Sequence, residues 1–518
     1  MKKFLSKYNL YPDATDIKAL FISFALINFV FLYNTLNFLW GNHDVQFVKN
    51  KLLLSSGLFE GRFTQFIPYC LLTNGQILPI LNNLLGFLFL ILGLWILAKY
   101  WDIPKSIMNY VLFITFFATQ PYTLSWLYFT LNSISCFLWI LIAILGLYST
   151  VHISRSPHKI ALFVIATLCF YFPLGGYPPI INTICVCLSA KIMISYLFEN
   201  KTLKTLLITH IYSIVTFLLA GIMFKITLKI IQPDNVYNLE TMPLSDIPQK
   251  FISILKISAN QFILSLPFME QGYKLILLAM FLTAMIGGLI AAHTLKKGIT
   301  TLCLLCITIL ATATTTFLVI PHTEYVARID FYGLAFLYTL ALALLLKFKQ
   351  PLAKSLALLF MFILLPLNIQ NDYRAQKIWQ QGFTAEFQIL DRVVERIENH
   401  PNFKPNHKYR FRQLGDISLR PRYYKQKFTQ NEPFLLDLPY LAMWQGDRLA
   451  EFYSPFSYIS DESNLIPADI TPECYHFMMQ EAHPWPHQNS IYVGDNAIII
   501  IFAQNELDDF RKMIAKLY

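Results

Sequence analysis

Residues 19–44 read ALFISFALINFVFLYNTLNFLWGNHD. From Ala19 to Trp40 there is no charged side chain. That is enough to cross a bilayer as a helix, which takes about 20 predominantly apolar residues. The run breaks on Asn42-His43-Asp44, so a histidine and an acid stand where a spanning helix meets water. Behind them comes Ser55-Ser56-Gly57-Leu58-Phe59-Glu60-Gly61-Arg62-Phe63, which adds a second acid and an arginine to the same connection.

The pattern recurs down the chain. Apolar runs cover 19–40, 77–99, 106–119, 129–149, 159–174, 180–198, 205–231, 274–295, 299–320, 331–347 and 355–369. The third, fifth and last are short. Hydrophobic residues make up 55% of the 518, and charged residues only 14%. An ordinary soluble protein carries about 25% charged residues. Mean hydropathy is +0.48. The expectation is a polytopic α-helical membrane protein with about eleven transmembrane helices over residues 1–369, followed by a smaller polar domain over 370–518. The basic first 18 residues and the length of the run at 19–40 predict a retained helix, since a cleaved leader has a shorter apolar core.

The formal net charge is +10. It does not point to nucleic acid, because the basic residues form no stripe interleaved with aromatics. They sit in short connections: Lys2, Lys3 and Lys7; Lys99 and Lys105; Arg155 and Lys159; Lys201 and Lys204; Lys296 and Lys297; Lys347, Lys349 and Lys354. With eleven alternating helices all of these fall on one side, which the positive-inside rule makes cytoplasmic. The tail then lies on the far side of the membrane.

The far-side connections are 41–76, 120–128, 175–179, 232–273 and 321–330, richer in Pro, Gly, Tyr and acids. Phe63–Tyr69 and Phe251–Leu255 repeat apolar residues at helical spacing without the length to span, which predicts pieces lying in the interface. In the tail, 378–399 reads as an amphipathic helix ending before His400-Pro401. Ser490–Val493 and Ala497–Phe502 read as a hairpin around Gly494-Asp495-Asn496, and Glu506–Leu517 as a closing helix. This is a small α+β domain. No internal repeat is visible.

Ionisable groups at membrane depth are costly, so those at the mouths are the site candidates. They are His43, Asp44, Glu60 and Arg62; His322, Glu324, Arg328 and Asp330; and the polar side chains Gln120, Tyr122 and Tyr177. Fixed cations suit a lipid-linked phosphate, and a carboxylate beside them suits a general base for a hydroxyl acceptor. The same cations would stabilise the phosphate as it leaves. Each residue has a plainer reading. Asp44 can cap a helix starting near Val45. Arg62 and Arg328 can anchor to headgroups. His322 follows Pro321 as a loop residue would, Glu60 can be merely solvated, and Glu324 and Asp330 can simply pair with Arg328.

Eight scattered cysteines give no disulfide framework, and Cys303 and Cys306 read as helix packing despite their spacing. His43 and Asp44 lack the helical pairing of a metal site, and His476, His483 and His487 are loosely spaced. No cofactor is expected, a divalent metal being the remaining alternative.

The acid after the first helix and the Ser55–Phe63 stretch resemble the Gtr-type serotype-converting glucosyltransferases, membrane enzymes of the GT-C class. Ala118-Thr119-Gln120-Pro121, Gly175-Gly176-Tyr177 and the Pro321–Arg328 segment are similar in placement. The resemblance covers roughly residues 18–370. It implies an undecaprenyl-phosphate-linked sugar donor, a glycan acceptor such as O-antigen, and Asp44 as base or acceptor organiser. Arg62, Arg328, His322 and His43 would then serve the donor phosphate, and Gln120, Tyr122 and Tyr177 the sugars. The family often has two adjacent acids where this chain has His43-Asp44, which leaves Glu60 as a substitute for the second. Alternatives are transfer to protein or lipid A, or a lipid-linked sugar flippase without enzymatic activity. Against the flippase stand the lack of repeats and the gathering of charge at one face.

Overall fold

The computed structural model describes residues 8, 10–37, 51–127, 130–199, 201–233, 247–263, 269, 272–315, 327–415, 458 and 465–517. The chain divides into two compact units, one containing the first helix and residues 52–374, the other containing residues 375–518.

The first unit is helical. Helix α1 (Ala14–Val30) starts at Asp13, whose side chain accepts from Thr15 N–H and Asp16 N–H while Asp16 bonds back in a capping box. Short α2 (Leu32–Leu36) continues it. Asp16 is fully buried, yet it accepts from Trp95 Nε1 at 3.1 Å and Lys99 Nζ at 3.3 Å. Those partners lie on α4 (Pro79–Tyr100), which follows α3 (Ile67–Leu72). A buried carboxylate is tolerable when it is paired in this way. Next come α5 (Ile107–Ala118), α6 (Pro121–Leu127), α7 (Thr130–His152), α8 (Lys159–Gly176), α9 (Ile180–Phe198), α10 (Leu203–Thr209) and α11 (Ile211–Ile231). After them lie α12 (Ile247–Ile263), α13 (Tyr273–Ala291), α14 (Leu295–Ala311), α15 (Ala327–Lys347) and α16 (Pro351–Glu398), whose residues from 375 on belong to the second unit.

Helix α4 packs along α7, α8 against α7 and α11, and α9 against α14 and α15. Helix α15 is the axis of this packing. Its residues from Leu334 to Leu346 are all buried, as a helix apolar on every side must be.

Seven helical segments among the described residues are long and apolar enough to cross a membrane: Pro79–Tyr100, Ser133–Arg155, Lys159–Gly176, Ile180–Phe198, Ile211–Ile231, Tyr273–Ala291 and Pro351–Lys377. The other apolar runs fall on helices α1, α5, α14 and α15. The chain is therefore a largely helical membrane protein.

Three local readings change. The 355–369 run and the 378–399 helix join as the single 48-residue α16. Pro366 lies within it, and from Leu367 to Lys377 no Gly or Pro stops the helix. Gly175 and Gly176 close α8 instead of forming a free turn. Arg328 and Asp330 lie in the first turn of α15 and not in a loop.

In the second unit, β1 (Arg410–Leu414), β2 (Ile491–Val493) and β3 (Ala497–Ile501) form a sheet in the order β1-β3-β2. The hairpin is the expected one, β2 running antiparallel to β3 with Val493 opposite Ile498. Strand β1 adds on the other side, parallel, with Arg410 opposite Ala497. The sequence reading missed it. Helix α17 (Pro472–His476) and the closing α18 (Gln504–Ile514) cover this sheet. Leu507, Phe510 and Ile514, on one face of α18, pack with Leu414, Ile499 and Ile501.

Candidate functional site

The Ser55–Phe63 stretch folds onto itself before it reaches any neighbour. Leu54–Glu60 is a 3₁₀ helix that ends on Gly61 at φ +70°. Arg62 N–H donates to Gly57 O at 2.8 Å, and a β-carbon on Gly57 would stand 2.2 Å from the Arg62 carbonyl oxygen. Only glycine admits that turn.

The folded stretch then docks on the end of α8. Thr64 N–H donates to Gly175 O at 3.1 Å, and Thr64 Oγ1 to Phe172 O at 2.6 Å. The Phe63 ring lies where a β-carbon on Gly175 would approach it to 2.5 Å. Phe63 also meets Tyr171 and Phe224, with ring centroids 5.5 and 6.0 Å away.

This docking brings three sequence candidates together. Arg62 Nη1 is 2.8 Å from Glu60 Oε2, and its guanidinium lies 5.2 Å from the centre of the Tyr177 ring. The ion pair and the ring fix the direction of the arginine, as a bidentate anion-binding group requires. Glu60 is thereby engaged by a cation.

Gln120 and Tyr122 belong to a second, fully enclosed polar group. Tyr122 is 1% exposed and accepts from Lys274 Nζ at 2.7 Å. Lys274 is itself buried, with its ammonium 5.1 Å from the Tyr122 and Tyr338 ring centres. The two tyrosine rings are stacked at 6.0 Å. Gln120 Nε2 donates to Thr339 Oγ1 at 3.0 Å, while its Oε1 accepts nothing among the described residues. Tyr273 O–H donates to Asn368 Oδ1 at 2.5 Å, and Asn368 Nδ2 to Thr119 Oγ1 at 3.2 Å. One turn beyond Asn368 is Asp372, fully buried, with neither carboxyl oxygen hydrogen-bonded among the described residues.

Lys274, Tyr273, Tyr338, Asn368 and Asp372 were missed in the sequence. A signal existed: Lys274 opens the run at 274–295, and Asp372 stands just past the run at 355–369.

Asn42, His43, Asp44, His322 and Glu324 lie outside the described residues, as do the side chains of Arg328 and Asp330. Beside α9, α12 and α14 is an apolar cavity of about 500 Å³ lined by Cys185, Ile192, Phe251, Ile254, Ile307 and Leu310 among others. Among the described residues no cluster of three or more His, Cys, Asp or Glu side chains could hold a metal.

A family model described as Glucosyl transferase GtrII matches residues 42–371. Neither the curated proteins nor the solved structures contain a match to the chain.

Proposed function

The chain belongs to the GtrII glucosyl transferase family, and on that premise we propose that it moves a glucosyl group from a polyprenyl-phosphate donor to a surface glycan such as O-antigen. The work would be done at the periplasmic face of a bacterial inner membrane, in a GT-C-type enzyme. The observation that carries this reading is Arg62, held by Glu60 at 2.8 Å over the Tyr177 ring by a motif folded for that purpose.

In this scheme Asp44 removes the proton from an acceptor hydroxyl, which attacks the anomeric carbon. The bond from that carbon to the phosphate oxygen breaks, and the configuration inverts. Arg62 and Arg328, with His322 and His43, hold the phosphate and take up the charge it gains on leaving. Tyr177 and Tyr122 offer ring faces to sugars, and Gln120 an amide. Glu60 keeps Arg62 aimed and stands in for the family's second acid. The apolar cavity of about 500 Å³ offers a place for the isoprenoid chain.

The test is transfer of labelled glucose from a short-chain polyprenyl-phosphate glucose to purified surface glycan by the protein in nanodiscs. Wild-type protein should form the glycosidic bond, Asp44→Asn should abolish it, and Arg62→Ala should slow it about 100-fold, as loss of one electrostatic contact does. Movement of the lipid-linked sugar across the bilayer without bond formation would instead mark a flippase.

A further inference from the structure

We propose that a polar cavity at the lysine-rich ends of the helices binds a phosphate group, borne by a lipid head or by a small soluble ester. Arg155 and Lys347 are its cations, and Tyr100 and His210 its neutral donors. The site lies apart from the Arg62 motif and does not depend on the transferase reading.

The first support is position. Helices α4, α7, α9 and α15 finish at Tyr100, His152, Phe198 and Lys347. These four residues line one cavity of about 540 Å³. Small-ligand sites occupy roughly 300–1,000 Å³. Arg155, also in the wall, stands just before α8 begins, whereas the Arg62 motif docks where α8 ends. At about 1.5 Å per residue the 18-residue helix keeps the two places roughly 27 Å apart.

The second support is the charge balance of the wall. Lysines at helix C-termini have two plain causes, retention of positive charge on one side of a membrane and bonding to the terminal carbonyls. Lys347 does the latter, donating to Trp101 O at 3.1 Å and Asp102 O at 2.7 Å. Neither cause explains what is left over around the cavity. Lys99 is matched by Asp16 at 3.3 Å, and Lys191 by Asp102 at 2.5 Å and Glu199 at 3.5 Å. Glu199 also meets Lys201 at 2.6 Å. Both carboxylates of the wall are thereby engaged, and Arg155 and Lys347 have no ion-pair partner among the described residues. Two such cations match one phosphate monoester, which carries roughly −1.5 to −2 at neutral pH. A carboxylate would balance only one of them, and an uncharged sugar neither. Tyr100 and His210 are each 2% exposed, and the Tyr100 hydroxyl and His210 Nδ1 bond nothing among the described residues. Buried polar groups are hydrogen-bonded as a rule. A phosphate brings the acceptor oxygens that a phenol O–H and an imidazole N–H lack here.

The test uses full-length protein in phosphatidylcholine nanodiscs. Its melting temperature is followed as sodium phosphate is added, against sodium chloride at equal ionic strength, and again with phosphatidic acid in the bilayer. A ligand that binds only the folded state raises that temperature. A saturable rise with sodium phosphate marks a soluble ester as the occupant, and a rise with phosphatidic acid alone marks a lipid head. Arg155→Gln and Lys347→Gln should each raise the half-saturating amount about 10-fold, as loss of a charge-assisted hydrogen bond does. Lys204→Gln, on the same lysine-rich face but outside the wall, should leave it unchanged. Tyr100→Phe should weaken the ligand without lowering the melting temperature of the free protein, because the hydroxyl removed has no partner there. The proposal is overturned if neither phosphate source stabilises more than chloride does, or if Lys204→Gln weakens binding as much as Arg155→Gln. It is equally overturned if Arg155→Gln and Tyr100→Phe both bind like wild type, an outcome that stands even where Lys347→Gln fails to fold.

Discussion

At Gly175 one methyl group decides whether the Arg62 motif can seat. Gly175→Ala puts a β-carbon 2.5 Å from the Phe63 ring, which must swing away from Tyr171 and Phe224. Overpacking of this kind costs about 1–3 kcal/mol. The expected result is a lower melting temperature together with reduced glucose transfer, while Gly221→Ala, inside α11 with nothing within 4 Å of its β-carbon, lowers neither. Equal behaviour of the two would show that the docking is unimportant. The grouping of Glu60, Arg62 and Tyr177 was half legible. Lysine bias placed them on one face, and glycine spacing marked Gly57 and Gly61 as turn positions. That Phe63 is the plug and Arg62 its half-buried neighbour needed coordinates. Lys274 and Asp372 stand at the edges of apolar runs, where a charge is as readily read as a helix end facing water, and only the packed structure shows both to be buried.

The helices repeat that contrast between length and detail. Among the described residues each apolar run found in the sequence falls on helix, because 3.6-residue periodicity and long apolar stretches survive averaging. Ends did not survive it: Arg328 moved from a loop into the first turn of α15, and two expected pieces became α16. Helix α12 is strongly amphipathic and shows Phe251, Ile252 and Leu255 on its exposed side. Such a face belongs in the headgroup–acyl boundary. Nitroxide labels at these three positions should be quenched more by oxygen than by a water-soluble nickel chelate, and the opposite preference would put the helix in water. In α18, Phe510 is 5% exposed and part of the second unit's core. Phe510→Ala should cost about 3–5 kcal/mol there and speed cleavage of residues 375–518 under limited proteolysis, leaving the helical unit's fragments intact.

Across the whole molecule, charge is spent mainly at the lysine-rich ends of the helices. A cavity of about 540 Å³ there is lined by Lys99, Asp102, Lys191, Glu199 and His210 among others. Burial, aided by the charge of Lys191, pushes His210 down from 6.5 to about 4, with Glu199 opposing. Unfolded chain takes up that proton below about 6.5, and folded chain refuses it until about 4. Stability from this group is thus complete above pH 6.5 and declines toward pH 4, by about 3 kcal/mol. For Glu199, burial pushes upward most strongly, but hydrogen bonds from Lys201 and Ser195 and the charge of Lys191 together bring it to about 2. Its contribution holds above about 4.5 and is lost between there and 2. Melting of the purified protein should therefore fall from pH 7 to 4, and His210→Gln should flatten that decline. Parallel losses in both proteins would remove His210 from the account. The second unit was legible only where partners are near in sequence: the β2–β3 hairpin announces itself, while β1 pairs across more than eighty residues and carries no local mark. That pairing has a consequence for how the chain is made. In the order β1-β3-β2 the last strand to be synthesised is the middle one. Among the described strands, neither outer one has a neighbour until Ala497–Ile501 arrives. A product halted before residue 497 therefore leaves Phe411 and Leu414 uncovered, and housekeeping proteases gain a ready means of telling an unfinished chain from a finished one.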